Sequence, residues 1–261
     1  MIIPPRIAKG DSIGIIAPAR FISRDAYEPI CRYINERGYK PVLGRSTQLE
    51  HGIFAGSDDE RAADLQQMIA DDNIKAILCV RGGYGCIRIA DKTDFTTLVE
   101  KPKWIAGFSD VTVLHSILQN IGVASVHGQM PVNFTKSASS ADALFCAMEG
   151  ADVGYTFNSD YNRSGQTCAE VCGGNLSIIC SLMGTPYQPR CRNKILFIED
   201  VCEPLYRIDR MMQQLRASGL LAEIDGLVVG YFSDCEDSTP SFGMCVEDII
   251  NDAVAGYKYP V

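Results

Sequence analysis

Three short stretches of the 261-residue chain hold residue types whose spacing could do chemistry. Gly107-Phe108-Ser109-Asp110 follows an apolar run and precedes a helical pattern. A serine on such a turn stands above the sheet with a helix N-terminus beneath it. Its oxygen can then attack a carbonyl while nearby N–H groups hold the oxyanion. The stretch departs from the G-x-S-x-G elbow because Val111 stands at the second glycine. Taken alone, Ser109 or Asp110 can equally cap the helix. Arg81-Gly82-Gly83-Tyr84-Gly85 also follows a strand-like run. It fails as a dinucleotide fingerprint, since counting G-x-G-x-x-G from Gly83 puts Arg88 at the third glycine, and it lacks the Lys-Ser/Thr of a P-loop. Two adjacent glycines after a strand do provide accessible backbone N–H groups, the material of an anion or oxyanion pocket, or simply a tight turn needing positive φ. Glu199-Asp200 closes a third apolar run, with Glu203 close behind. A carboxylate at a strand end can orient and charge-stabilise a histidine. Three neighbouring acids also read as a solvated loop or an acidic helix start, and nothing else suggests the sugar cleft that a glycosidase pair needs.

Histidine is scarce. His51 lies in a Gly-flanked loop, His115 six residues beyond Ser109, and His127 at the end of a strand-like Val123–Val126. Six helical residues turn through about 600°, so His115 points away from the helix side nearest Ser109. His127 could approach the strand ends. Each also reads as a structural or surface histidine.

The elements that must position these residues alternate strand and helix, as parallel α/β sheets do. Ser12–Ala17 reads as a strand halted by Pro18, and Tyr27–Gly38 as a helix. Ser57-Asp58-Asp59-Glu60 fits a capping box, and Ala62, Leu65, Met68 and Ile69 mark the buried stripe of the helix it opens. Ile74–Val80 and Trp104–Phe108 are strands that run into the glycine stretch and the serine. Loops at the carboxyl ends of these strands should hold the site. Text from about Ser137 to Gln166 turns small and polar apart from a helical stretch at Ala141–Met148. Beyond it come a helix at Asn175–Met183, a strand at Lys194–Ile198, a helix opened by Pro204 and ended by Gly219, a strand at Gly226–Phe232 and a helix at Val246–Val254. The expectation is an α/β protein with a parallel-sheet, flavodoxin/Rossmann-like N-terminal domain (1–140), a linker (141–165) and a smaller C-terminal α/β domain (166–261).

Composition bounds the function classes. The 24 Lys+Arg against 32 Asp+Glu leave a net charge of −8, which argues against nucleic acid or an anionic membrane as partner. No apolar run approaches the roughly 18 to 20 residues that span a bilayer. Two prolines and an arginine in the first six residues interrupt any signal peptide. Eleven cysteines without a CxxC pair, several in apolar text, read as reduced thiols in a soluble cytoplasmic protein. Scattered histidines and cysteines give no zinc ligand cluster.

The ordered set of motifs resembles the LD-carboxypeptidase family of serine peptidases, which includes murein tetrapeptide carboxypeptidases and microcin C immunity peptidases. The residues that carry it are Asp11–Pro18, Lys75–Gly85, Gly107–Asp110 with Leu114-His115, His127-Gly128, Gly173–Leu176, Gly184–Tyr187, Leu196–Asp200 and Tyr206–Arg210. The resemblance implies Ser109 as nucleophile, Glu199 as acid of a Ser-His-Glu triad, and an oxyanion hole from the Asp110 N–H and the Gly82-Gly83 turn. Arg81 and Tyr84 are candidate substrate contacts; Arg81 could clamp a carboxylate or pin its own turn. No metal or cofactor is implied. The family's histidine lies in a Gly-His segment after the Glu, beyond a strand that begins much as Tyr259-Pro260-Val261 does. The expected base is therefore outside these 261 residues, and the chain as given is expected to be weak or inactive, unless His127 substitutes. The implied substrate is a small murein peptide, cleaved through an acyl-enzyme at the L,D bond to its terminal D-Ala during peptidoglycan recycling. A homodimer is expected. One alternative is a microcin C-type aminoacyl-nucleotide hydrolase, a branch that tends to carry an aromatic residue on a C-terminal-domain loop, whereas Trp104 lies in a first-domain strand. The other is a non-catalytic relative that binds cell-wall peptides.

Overall fold

The computed structural model describes residues 1–261, which divide into two units, Met1–Gly154 and Tyr155–Val261. In the first, β1 (Ser12–Ile16), α1 (Tyr27–Glu36), β2 (Lys40–Leu43), α2 (Asp58–Ala70), β3 (Ile74–Cys79), α3 (Thr97–Glu100), β4 (Trp104–Gly107), α4 (Thr112–Asn120), β5 (Val126–His127) and α5 (Ala138–Glu149) follow one another. All five strands pair in parallel in the order β2-β1-β3-β4-β5. This is a doubly wound sheet whose chain direction reverses between β1 and β3, the place where such sheets open a crevice at their carboxyl ends. The strand β2 carries no apolar run because it is an edge, half exposed and with Pro41 in its middle.

The apolar periodicity has its expected use. Ile13, Ile15, Leu78, Trp104 and Ala106 from the strands pack with Ile30 and Ile34 of α1. Ser57 Oγ accepts from Glu60 N–H while Ser57 N–H donates to Glu60 Oε2 at 2.9 Å, so the capping box opens α2. The helix α5 places Ala141, Leu144, Phe145 and Met148 in the same core. The region expected as linker from residue 141 therefore begins inside a first-unit helix, and the two units meet in sequence at Gly154 and Tyr155.

The second unit contains β6 (Val171–Asn175), α6 (Leu176–Leu182), β7 (Ile195–Val201), α7 (Leu205–Ala217), α8 (Leu220–Glu223), β8 (Gly226–Ser233) and α9 (Val246–Val254). Its sheet is parallel, in the order β6-β7-β8. One difference from the sequence reading matters for chemistry. Glu199 and Asp200 lie within β7, which keeps pairing with β8 as far as Val201–Ser233 after a register shift between Ile198 and Asp200. Successive strand side chains point to opposite faces, so the two acids face different surroundings. At the other end of the sheet, Leu227 N–H donates to Pro260 O, and Arg163 and Val261 exchange two backbone hydrogen bonds. No helix is long and apolar enough to cross a membrane.

One buried cation ties the first unit's loops together. Arg61 on α2 is 1% exposed; its Nη1 donates to Gly85 O at 2.9 Å and to Pro18 O, and its Nη2 pairs with Asp58. Replacing it strands the Pro18 carbonyl and leaves the Gly85 carbonyl to the Arg88 N–H at 3.1 Å, while Asp58 keeps Arg88 at 2.7 Å. Arg61→Met is expected to cost on the order of 3 kcal/mol, read as a lower urea midpoint at unchanged m-value.

Candidate active site

The strands β3 and β4 are neighbours, with Leu78 opposite Ala106, so the loops that leave their carboxyl ends emerge side by side. The β4 loop turns sharply: Ser109 has φ 61°, a left-handed value that a residue with a Cβ rarely adopts. Such strain marks the elbow on which a nucleophilic serine is displayed. Val111 fits where the G-x-S-x-G pattern has glycine because Gly107 leaves the room; a Cβ on Gly107 would stand 2.9 Å from Val111 Cγ2. The N-cap positions of the 3-10 turn at Ser109–Val111 and of α4 behind it are Phe108 and Val111, and neither side chain caps. Ser109 and Asp110 stand inside the turn rather than at a cap position.

The glycine loop lies against this elbow. A Cβ on Gly82 would be 3.1 Å from Ser109 Cβ, 3.2 Å from Ser109 Oγ and 3.3 Å from Asp110 N. Gly83 has φ 112°, and a Cβ there would collide with Arg20 Cδ at 2.3 Å. Gly82 thus gives the backbone its close approach to the serine, while Gly83 meets a positive φ and the Arg20 side chain. Asp110 is 1% exposed, and its Oδ2 accepts from Cys86 N–H at 2.8 Å. Burial pushes its carboxyl above the usual range, opposed by bonds from Cys86 and Gly85 and by the Arg61 charge. Arg81 Nη1 donates to Phe21 O at 3.2 Å, so its guanidinium pins a loop of its own unit. Tyr84 is 47% exposed, its ring 5.9 Å from that of Phe54.

The histidines sort by environment. His115 Nε2 lies 2.8 Å from Gly107 O and its Nδ1 2.8 Å from Ser125 Oγ. A carbonyl only accepts, so Nε2 carries the proton, and burial holds the ring pKa down to about 4. This residue buttresses the strand that leads to Ser109. His127 sits opposite Gly107 in the β4–β5 pairing, its ring 6.2 Å from Phe108 and 5.7 Å from His115. Burial, reinforced by His115, lowers its pKa to about 3. His51 is exposed.

In the second unit Glu199 sits opposite Asn175 in the β6–β7 pairing. Burial first, then the Asp200 charge, raises the Glu199 carboxyl to about 7, and a hydrogen bond from Asn175 opposes the rise. Asp200, 2% exposed, is held differently. It accepts from Asn175 Nδ2 at 2.9 Å, Val201 N–H at 2.9 Å and Ser177 N–H at 2.8 Å. Asn175 also caps α6 through Ile178 N–H. Its placement between two carboxyls escapes sequence reading, although an asparagine behind two glycines before a helix is a recognisable cap signal. Gly230 on β8 makes room beside Glu199, where a Cβ would stand 3.2 Å from Glu199 Cβ. An open groove of about 1000 Å³ along β8, lined by Phe157, Tyr231, Ile250 and Pro260 among others, contains none of the candidate residues.

Comparison with known proteins agrees with this arrangement. The LD-carboxypeptidase N-terminal domain matches residues 13–128 and the LD-carboxypeptidase C-terminal domain matches residues 169–261. A probable murein peptide carboxypeptidase of Bacillus subtilis is 35% identical, the alignment covering 98% of this chain and 83% of that protein. The microcin C7 self-immunity protein MccF of Escherichia coli is 22% identical over 98% of this chain and 85% of its own length. The crystal structure of muramoyltetrapeptide carboxypeptidase from Oxalobacter formigenes matches with a TM-score of 0.88 at 28% identity, covering 96% of this chain and 86% of that one. Both domains match in order, and between them they take in the serine turn, the glycine loop and the acidic strand: the chain belongs to the LD-carboxypeptidase family.

Proposed function

We propose that the protein is a serine-type LD-carboxypeptidase that removes the terminal D-alanine of murein tetrapeptides in cytoplasmic peptidoglycan recycling, working as a homodimer. The observation that carries this reading is the left-handed Ser109 with the Cβ-less backbone of Gly82 against its Oγ. In this reading Ser109 Oγ attacks the carbonyl carbon of the L,D amide bond. The N–H groups of Asp110 and of the Gly82-Gly83 turn receive the oxyanion. D-Alanine leaves with a proton, and water then hydrolyses the acyl-enzyme. The murein substrate follows the names of the Bacillus and Oxalobacter relatives.

Glu199 is the proposed acid of the triad. An imidazolium beside it would hold it ionised against the burial that now raises its pKa to about 7. The base is assigned to the Gly-His segment that the family resemblance implies after the acid. His115 is bonded at both ring nitrogens, and His127, with a pKa near 3, is a weak proton acceptor at neutral pH. A second reading, aminoacyl-nucleotide cleavage, is kept by the MccF relative. It stands second: Trp104, the sole tryptophan, is 7% exposed with its indole N–H on Pro5 O at 2.8 Å, so a nucleobase would have to stack on an exposed second-unit ring such as Tyr231 or Phe157.

The protein is expected to release D-Ala from murein tetrapeptide and not to cleave an aminoacyl-sulfamoyl nucleoside. Ser109→Ala should lower the rate by about 10⁴ to 10⁶. His127→Ala falling in the same range would assign the base to His127, and no D-Ala release by the parent would exclude the murein reading.

Glu199 also predicts a pH dependence of stability. Its folded pKa of about 7 exceeds the ordinary 4.5, so its contribution is fully present below about 4.5 and is lost as the pH rises through about 7. His115 and His127, with depressed values, act in the opposite sense at lower pH, and their effect cancels in a comparison with Glu199→Gln. The urea midpoint of residues 1–261 relative to that variant should fall between pH 5 and pH 8. A constant difference would show that Glu199 is not held neutral by burial.

A further inference from the structure

Asp110 enters the proposed reaction only through its backbone N–H, yet its side chain is among the most deeply buried acids of the chain. A carboxylate taken from water is costly unless donors replace its hydration. The donors it has found are informative. They are the Cys86 N–H at 2.8 Å, the Gly85 N–H and the Cys86 thiol, all on the loop after β3 and none on its own helix. That loop has little stiffness of its own, since Gly83 and Gly85 both take positive φ, at 112° and 146°. It is gripped from outside. Arg61 holds the Gly85 carbonyl at 2.9 Å on one side, and Asp110 holds the Gly85 and Cys86 N–H groups on the other.

We propose that the Asp110 side chain is a positioning residue, whose carboxylate locks the Gly82-Gly83 turn to the Ser109 elbow and so sets the spacing of the two oxyanion donors. This rests on the serine-peptidase reading above. Two donors from two different loops can serve one oxygen only if the loops keep a fixed separation, because an oxyanion needs each donor within about 2.7–3.1 Å. Parallel pairing fixes β3 and β4, but Leu78–Ala106 is the last paired rung between them. Beyond it, Asp110 bridges the two loops. A misplacement of about 1 Å at such a site typically costs about 10²-fold in rate.

The test uses the protein with murein tetrapeptide, and as a second ligand a peptide boronic acid that forms a tetrahedral adduct on the serine. Asp110→Ala is expected to lower kcat by about 10²- to 10³-fold, the effect of losing one oxyanion donor, with KM within about 3-fold. Boronate affinity should fall in parallel while affinity for the tripeptide product holds. Asp110→Asn keeps an acceptor for the Cys86 N–H and should recover kcat to within about 10-fold of the parent. Should the alanine variant fail to unfold cooperatively, Asp110→Asn and Asp110→Glu carry the test. The added methylene of Glu displaces the loop at unchanged charge and should lower kcat more than Asn does. Unchanged kcat and boronate affinity in the folded variants, or a rise in KM alone, would overturn the proposal while Ser109→Ala stays inactive. Turnover by Ser109→Ala would instead remove the serine reading on which the proposal stands.

Discussion

The first unit is organised around one close approach, that of the Gly82 backbone to the Ser109 side chain. Within 3.1–3.3 Å of where a Gly82 Cβ would be stand Ser109 Cβ, Ser109 Oγ and Asp110 N, so even a methyl group there would need the elbow to give by a few tenths of an ångström. Neither loop would hold this geometry by itself, since one contains a strained serine and the other two left-handed glycines. The sheet brings them side by side, and buried polar groups finish the work. Arg61 reaches from α2 to the loops after β1 and β3, and Asp110 joins the loops after β3 and β4. His115 braces the end of β4 through the Gly107 carbonyl. These groups bond to backbone donors and acceptors of loops, which is how a fold makes irregular backbone rigid without regular pairing.

Much of this was legible in the sequence, because strand and helix periods, the Ser57 capping box and the glycine-flanked serine are local signals. The edge strand β2 was not, since a half-exposed strand with a central proline has no apolar signature. The last residue of β7 is out of reach for a related reason. Two acids read as the end of a strand, yet cross-strand pairing with β8 continues past them, and pairing is a tertiary fact. The extent of α5 was underestimated because its first turn, Ala138-Ser139-Ser140, is small and polar while its buried stripe starts only at Ala141.

The candidate site divides in the same way. Ser109 and the glycines could be singled out because turn chemistry is written in single residues. The buttresses could not: Arg61 reads as an ordinary charge on an amphipathic helix, and nothing local tells that it is wholly buried. Arg81 shows the converse. Its sequence leaves open a carboxylate clamp or a pin for its own turn, and the partner its Nη1 takes, the Phe21 carbonyl, belongs to a segment sixty residues earlier.

The two neighbouring acids of β7 show how environment separates roles that sequence leaves equal. Both are raised by burial, so depth alone does not distinguish them. Asp200 accepts from two backbone N–H groups and the Asn175 amide, and removing its charge would strand three donors; it is built into the start of α6 and the end of β7. Glu199 has its shift set by burial and by the Asp200 charge, with Asn175 as the opposing bond. A carboxyl poised near neutrality responds strongly to one added cation, because favouring the charged form by a single pKa unit takes only about 1.4 kcal/mol. An acid that must stabilise an imidazolium formed during turnover needs that responsiveness, whereas an acid that holds two strands and a helix together needs its absence. By this criterion Glu199, rather than Asp200, is the carboxylate suited to the proposed triad.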